Sequence, residues 1–399
     1  MAKKKCPAAN CFKKIYSNRM YIFVRKFLFK TFYSIRLKYY IISGEASGDL
    51  HGSNLMKAIK QIDAKAEFRF WGGDKMQAQG GTLVTHYRHM AFMGFWEVFT
   101  HLFYILKKMK QCKADLVAYK PDALILIDYP GFNLKMAAFA HQHQIKVFYY
   151  ISPQVWAWKS KRVNLIKQVV DKMFVILPFE QAFYKTWDYP VTYVGHPLLE
   201  VIAEQSKPID TSKRIIALLP GSRKQEIIVK LPIMLSVAKF FPAFQFVVAK
   251  APSAAEEWYA AALANAPANV STTSDGTYAL LQQATAALVT SGTATLETAL
   301  FGVPQVVCYK GSRLSYEIGK RLVKIKYISL VNLILNKPVV TELIQMHLTT
   351  DNLKHELEKL LPPAPERTTM LSEYAQLRTV LGQKVASTTV AAAIYQAIQ

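Results

Sequence analysis

Two tandem α/β domains, each a doubly wound parallel sheet, are the fold class this sequence predicts, and three observations carry the prediction. Short apolar runs bounded by Gly, Pro or Asp alternate with helix-like spans, as buried parallel strands do. The alternation breaks once, near Gly195-His196-Pro197, and then restarts. At 399 residues the chain also exceeds the size at which one core usually stops growing.

The first unit opens on the apolar run Tyr39-Tyr40-Ile41-Ile42, followed by the small-residue stretch SGEASGDLHG (43–52) and a helix-like run from Leu50 to Ile62. Further strands are expected at Phe68–Trp71, Ala123–Ile127, Lys146–Ile151 and Lys172–Leu177. A polar span, Glu200 to Lys213, contains Pro208. After it come strand Ile215–Leu219, helix Lys224–Lys239, strand Phe244–Val248, helix Ala254–Leu263, and strands Ala286–Thr290 and Gln305–Tyr309. From Thr369 to Gln399 the chain reads as helix throughout, suited to pack back across the first domain. The expected organisation is a basic extension (1–37) with little fixed structure, a first domain (38–195), a second domain (196–368) and a helical segment (369–399).

Half of the residues are apolar (51%), enough for two cores. The four cysteines, Cys6, Cys11, Cys112 and Cys308, are too few and too scattered for a disulfide framework and read as free thiols. Cys6 and Cys11 lack a downstream Cys or His pair at zinc spacing. The net charge of +23 is uneven: residues 1–38 carry eleven Lys or Arg and no acid. Such a balance suits an anionic partner, whether nucleic acid, phosphorylated substrate or membrane surface, and is otherwise a solvated basic surface. Met20 to Leu37 is aromatic-rich but interrupted by Arg25, Lys26, Lys30 and Arg36, so it has neither the length of a membrane span nor the form of a secretory signal.

Between Phe92 and Lys110, Phe92, Trp96, Phe99, Phe103 and Leu106 share one helical face, which Phe95, Leu102 and Ile105 widen. The face reads first as core. Its width and the closing Lys107, Lys108 and Lys110 also fit a surface that dips into a bilayer with anionic headgroups.

The chemistry-bearing motifs sit at strand ends, where open α/β sheets bind ligands. Pro220-Gly221-Ser222-Arg223 follows a strand and opens a helix. Gly221 permits close backbone approach, Ser222 is suited to cap the helix, and Arg223 offers a fork for phosphate. Thr290-Ser291-Gly292-Thr293 repeats the arrangement, with Glu297 in the first turns, able to meet a ribose diol or simply answer the helix dipole. Two such loops on one sheet suggest a nucleoside-diphosphate site. Neither is a Walker A loop or a GxGxxG turn, which lowers the standing of ATPase and NAD readings. In the first domain, Asp128 ends a buried strand, where a general base can meet a substrate hydroxyl. Glu45, Asp49 and His51 lie in the first loop and are able to bond a polar ligand. The stiff loop SPQVWAW (152–158) presents flat apolar area. His196, in Gly-His-Pro, reads as a hinge residue. No HExxH or GxSxG pattern occurs.

Taken together and in this order, SGEASGD (43–49), IDYPGFN (127–133), SPQVWAW, GHP (195–197), LLPGSR (218–223), SGTATLE (291–297) and VNLI (331–334) closely resemble the lipid-A-disaccharide synthase family. These are inverting glycosyltransferases of GT-B architecture, in which two Rossmann-like domains face across a cleft. The resemblance covers about residues 38 to 399. It implies transfer of 2,3-diacylglucosamine from its UDP conjugate to 2,3-diacylglucosamine 1-phosphate by a cytoplasmic enzyme peripheral to the inner face of the membrane. It implies no metal, cofactor or nucleic acid, and is compatible with an oligomer. By the same resemblance Asp128 is the base, Glu45 faces the cleft, and Gly221, Ser222, Arg223, Ser291, Gly292, Thr293 and Glu297 hold UDP. Asn332, Glu342 and Gln345 belong to the later donor-side region. Residues 1–38 depart from the family, whose chain usually starts near Lys38. Another UDP-sugar GT-B enzyme, and a non-catalytic basic module for lipid or nucleic acid, are the alternatives.

Overall fold

The structure is a computed structural model that describes residues 36–90, 102–204, 213–252, 254–274, 276–323 and 325–399. The basic extension with Cys6 and Cys11, and residues 92–101 of the aromatic-rich face, lie outside these.

The first sheet is built from β1 (Lys38–Ser43), α1 (Ala46–Ile62), β2 (Glu67–Gly72), α2 (Asp74–Ala78), β3 (Thr82–His86), α3 (Leu102–Tyr119), β4 (Ala123–Ile127), α4 (Pro130–Gln142), β5 (Lys146–Tyr150), α5 (Val163–Val169), β6 (Lys172–Val175), α6 (Pro178–Lys185) and β7 (Thr192–Tyr193). Its strands are all parallel, in the order β3-β2-β1-β4-β5-β6-β7. After α7 (Leu198–Glu204), the second sheet comprises β8 (Ile215–Leu219), α8 (Lys224–Leu235), β9 (Gln245–Ala249), α9 (Glu257–Leu263), β10 (Val270–Thr273), α10 (Thr277–Leu281), β11 (Ala284–Thr290), α11 (Thr293–Leu300), β12 (Gln305–Tyr309), α12 (Arg313–Leu322), α13 (Leu330–Leu335), β13 (Thr341–Ile344) and α14 (Thr350–Glu358). It repeats the order, as β10-β9-β8-β11-β12-β13.

The central strands are apolar on both faces because helices cover both. All five residues of β4 and all seven of β11 are buried. In each sheet the order reverses once, between β1 and β4 and between β8 and β11, and there the carboxyl ends of adjacent strands splay into a crevice.

The expected strands appear, with boundaries moved by one to two residues. Four edge or near-edge strands escaped the sequence reading: β3, β7, β10 and β13. They are short and only partly buried, so no continuous apolar run marks them. The C-terminal stretch is not one helix. α15 (Pro365–Leu381) stops at Gly382, whose φ of +70° lies in the left-handed region, and α16 (Ala386–Ile398) follows. α16 seals the first sheet. Val390, Ala391 and Ile394 join Leu55 and Ile59 of α1 and Tyr39 of β1 in one core.

The chain thus passes between the sheets twice, and the two crossings hold each other. Tyr193 OH donates to Leu381 O at 2.8 Å, and the Ser387 N–H and hydroxyl both donate to the Glu200 carboxylate at 2.7 and 2.6 Å. Gly195 has φ +91°, and a Cβ there would stand 2.5 Å from Lys384 O. His196 is buried in the first of these crossings, its Nδ1 accepting from Leu198 N, and burial pulls its imidazole down to about 3.

Candidate active site

On the first sheet, Ser43 pairs in register with Ile127, so the loops after β1 and β4 leave the sheet side by side. Asp128 and Tyr129 both take left-handed backbone, with φ of +44° and +47°, before Pro130 starts α4. Two consecutive non-glycine residues in that region are costly, a common mark of a functional turn. The turn is clamped from below. Asn133 Nδ2 donates to Asp128 O at 2.8 Å and Ile127 O at 3.2 Å, and Tyr149 OH donates to Asp128 O at 2.6 Å. Gly44 makes room for the Tyr129 ring, since a Cβ there would meet it at 2.4 Å. That close approach brings Glu45 to Asp128. Burial, and then the charge of Glu45, push the Asp128 carboxyl up to about 6. Asp128 is therefore ionised at neutral pH yet basic enough to take a proton.

Two expectations for the first loop need correction. The helix begins at Ala46 rather than Leu50, so most of SGEASGDLHG is the first turns of α1, with Glu45 as its N-cap residue. Asp49 does not face a ligand. It is buried, and its carboxylate accepts from Gly73 N, Lys75 N and Met76 N at 2.7–3.0 Å, which satisfies the start of α2. Glu45 remains half-buried at the crevice.

The second sheet brings the GSR and SGT loops together in the same way, because Leu219 of β8 pairs with Val289 of β11. Gly221 has φ +107° and lies against Glu226, whose Oε2 a Cβ would meet at 2.3 Å. Ser222 is exposed and does not cap α8. Arg223 is the N-cap residue, and Glu226 reaches back to its N–H at 3.4 Å. The Arg223 guanidinium is largely exposed, 3.8 Å from Glu226. Ser291, Gly292 and Thr293 form the other rim. Gly292, with φ +128°, precedes α11, and both Gly292 and Thr293 are exposed. The first amides of α11 thus face open space with the positive end of the helix dipole. Glu297 lies half-buried one turn further, holding the Tyr278 hydroxyl at 2.9 Å, and burial raises its carboxyl.

Asn332 and Glu342 are drawn into the fold itself. Asn332 is 1% exposed. Its Oδ1 accepts from Val339 N and Val340 N, and its Nδ2 donates to Val340 O and the Glu342 carboxylate. Glu342 also accepts from Ile328 N and Ser329 N, so the pair anchors the start of α13. Gln345 has φ +54° and accepts from Gly311 N at 3.1 Å, tying the ends of β12 and β13.

In SPQVWAW, Val155 and Ala157 are buried, Trp156 packs edge-on to Phe179 at 4.9 Å, and Trp158 is exposed beneath Lys159. Lys230 is a further candidate that no motif marks. In α8 the buried positions are Ile227, Lys230, Leu231, Met234 and Leu235, so the available signal was a lysine on a core stripe.

Comparison with known proteins agrees with this geometry. The family described as Lipid-A-disaccharide synthetase matches residues 39–394. The lipid-A-disaccharide synthase of Geobacter metallireducens is 38% identical over 368 residues, covering 89% of this chain and 96% of that protein. Among solved structures, the UDP-GlcNAc 2-epimerase of Neisseria meningitidis, bound to UDP-GlcNAc, has a TM-score of 0.61 at 13% identity, covering 91% of this chain and 99% of its own. The glycotransferase of kitacinnamycin has a TM-score of 0.62 at 14% identity, covering 90% and 98%. These last two speak to the fold, which is GT-B: two Rossmann-like domains facing across a cleft. With the family matched across both sheets and a relative of that identity along nearly its whole length, the chain belongs to the lipid-A-disaccharide synthase family of glycosyltransferases.

Proposed function

We propose that this chain transfers 2,3-diacylglucosamine from its UDP conjugate to the 6-hydroxyl of 2,3-diacylglucosamine 1-phosphate, giving the β-1,6-linked disaccharide 1-phosphate and UDP. The observation that carries the reading is the division of labour between the two crevices. One presents a carboxylate poised at about 6, the other two loops suited to a diphosphate.

Asp128 takes the proton of the acceptor hydroxyl as the oxygen attacks the anomeric carbon from the face opposite UDP. That face-opposed displacement inverts the centre. Glu45 keeps the Asp128 proton affinity high and meets acceptor hydroxyls. Across the cleft, the amides of Ser291, Gly292 and Thr293, with Arg223 and the Gly221-Ser222 backbone, receive the charge that grows on the leaving UDP. Glu297 addresses the ribose. Asn332 and Glu342 act by shaping the donor side, since the fold already occupies their polar atoms, while Gln345 keeps a buried Nε2 with no partner in the fold and can donate to the donor substrate. Closure of the cleft excludes water that would otherwise hydrolyse the donor. The test is UDP release, expected only when diacylated donor and acceptor are both present. UDP released from unacylated UDP-N-acetylglucosamine, with no need for the acylated pair, would favour another UDP-sugar enzyme of the same fold.

Substrates with acyl chains call for work at a membrane surface, taken here as the cytoplasmic face, and α3 fits such a surface. Phe103 is 86% exposed and Leu106 is exposed, next to Lys107, Lys110 and Lys113. Among the described residues no helix is long and apolar enough to cross a membrane. Phe103→Ser with Leu106→Ser is expected to lower flotation with anionic liposomes several-fold while UDP binding is kept. Unchanged flotation would remove α3 from this role.

A further inference from the structure

Among the described residues, Lys230 is the one Lys or Arg that the fold buries, at 2% exposure. It lies one helical turn beyond Glu226 and two beyond Arg223, on the face of α8 that packs against the second sheet. Its ammonium donates to the hydroxyl of Thr290, the last residue of β11 and the one immediately before Ser291-Gly292-Thr293. The same ammonium lies near Cys308, at the end of β12. Lys230 therefore stands behind both loops, joining the helix that follows one to the strand that precedes the other.

A buried ammonium is expensive unless an opposite charge answers it. No carboxylate lies within ion-pair distance of Lys230 among the described residues. Glu226, the acid on its own helix that favours its charge, is already engaged by the Arg223 guanidinium and N–H. Arg223, Glu226 and Lys230 thus leave one positive charge in excess at the loops. Burial, with Arg223 adding to it, pulls the Lys230 ammonium below the ordinary lysine range. An apolar residue would fill this core position at less cost, so the charge calls for a partner the folded chain does not supply.

We propose that Lys230 is a positioning residue of the diphosphate site: it fixes Thr290, and through it the Ser291–Thr293 amides, and supplies buried positive potential that the UDP phosphates complete. The inference rests on UDP occupying these loops. It goes beyond that reading in assigning part of the phosphate affinity to a side chain that does not touch the ligand.

The experiment is calorimetric titration of UDP and of uridine into the wild-type protein and Lys230→Met, at several pH values. Methionine keeps the packing and removes the charge. The expected result is a loss of ~10- to 30-fold in UDP affinity, the order for a unit charge acting across about 8 Å at an effective dielectric near 20. Uridine, without phosphate, is expected to bind both proteins alike. Since bound phosphate favours the charged lysine, wild-type UDP binding should take up protons in the alkaline range below the ordinary lysine value and weaken as pH rises through it. Lys230→Met should lose that dependence. Equal losses for UDP and uridine would make Lys230 a scaffold element and overturn the proposal, as would unchanged UDP affinity. Should the variant not fold, the wild-type titration still decides: pH-independent UDP binding across that window overturns the proposal. Failure of the wild type to bind UDP at all would instead contradict the functional reading on which it rests.

Discussion

Asp128→Asn is expected to lower turnover by ~10²–10⁴-fold, the usual cost of removing a positioned base, while UDP affinity stays within about twofold. Asparagine is isosteric and tolerates the left-handed backbone that Asp128 adopts at φ +44°, so the turn survives the change. Two further signs separate this from general damage. The wild-type kcat/KM should fall with acid through about pH 6, as the base becomes protonated, and the variant should lack that limb. Stability should move the other way. A carboxyl raised from its ordinary value near 4 to about 6 binds its proton more readily in the folded chain, so the folded state loses stability as pH climbs through that window. At neutral pH the neutral amide escapes this cost, and Asp128→Asn should be more stable by ~1–2 kcal/mol, allowing for partial solvent screening. A variant with near-normal turnover would remove Asp128 from the role of base.

The second large effect is on the fold. Asn332→Ala is expected to destabilise the protein by ~3 kcal/mol, because it strips the Asn332 partner from the buried Val340 N–H and from the Val340 carbonyl and leaves the partly buried Val339 N–H with Lys337 O alone. Glu342 loses a donor as well, but keeps Ile328 N and Ser329 N. The measurement is urea denaturation followed by a probe in the second sheet, where the midpoint should drop with little change of slope. If Asn332 served mainly as a ligand contact, the variant would unfold like the wild type and show only a raised KM for the donor.

Sequence made the fold legible where physics leaves a continuous mark. β4 and β11 are buried on both faces, and their apolar runs announce them. The edge strands β3 and β10 are half-solvated, with polar residues at most positions, and carry no comparable run. The break at Gly382 was legible as a glycine, but not as a left-handed stop between two helices.

Within the candidate site, Asp128 stands out in the sequence because a carboxylate directly after a buried strand comes to the crevice edge. Asp49 looked equally suited, yet its partners, the amides that open α2, lie more than twenty residues away and leave no trace in the local pattern. The same holds for Asn332, whose motif marks a loop anchor rather than a contact surface. Lys230 shows the reverse case: a charged residue at a core position of an apolar stripe is a visible anomaly, and its meaning depends on Thr290, sixty residues on.

In the proposed mechanism one sheet activates the acceptor and the other receives UDP, with the sugar displaced directly between them. The anomeric configuration of the disaccharide formed from the α-linked UDP donor tests this most directly, by the proton coupling constant at the new glycosidic carbon. A β linkage, formed once by inversion, is expected in the wild type. An α linkage, or a glycosyl group trapped covalently on Asp128, would contradict it.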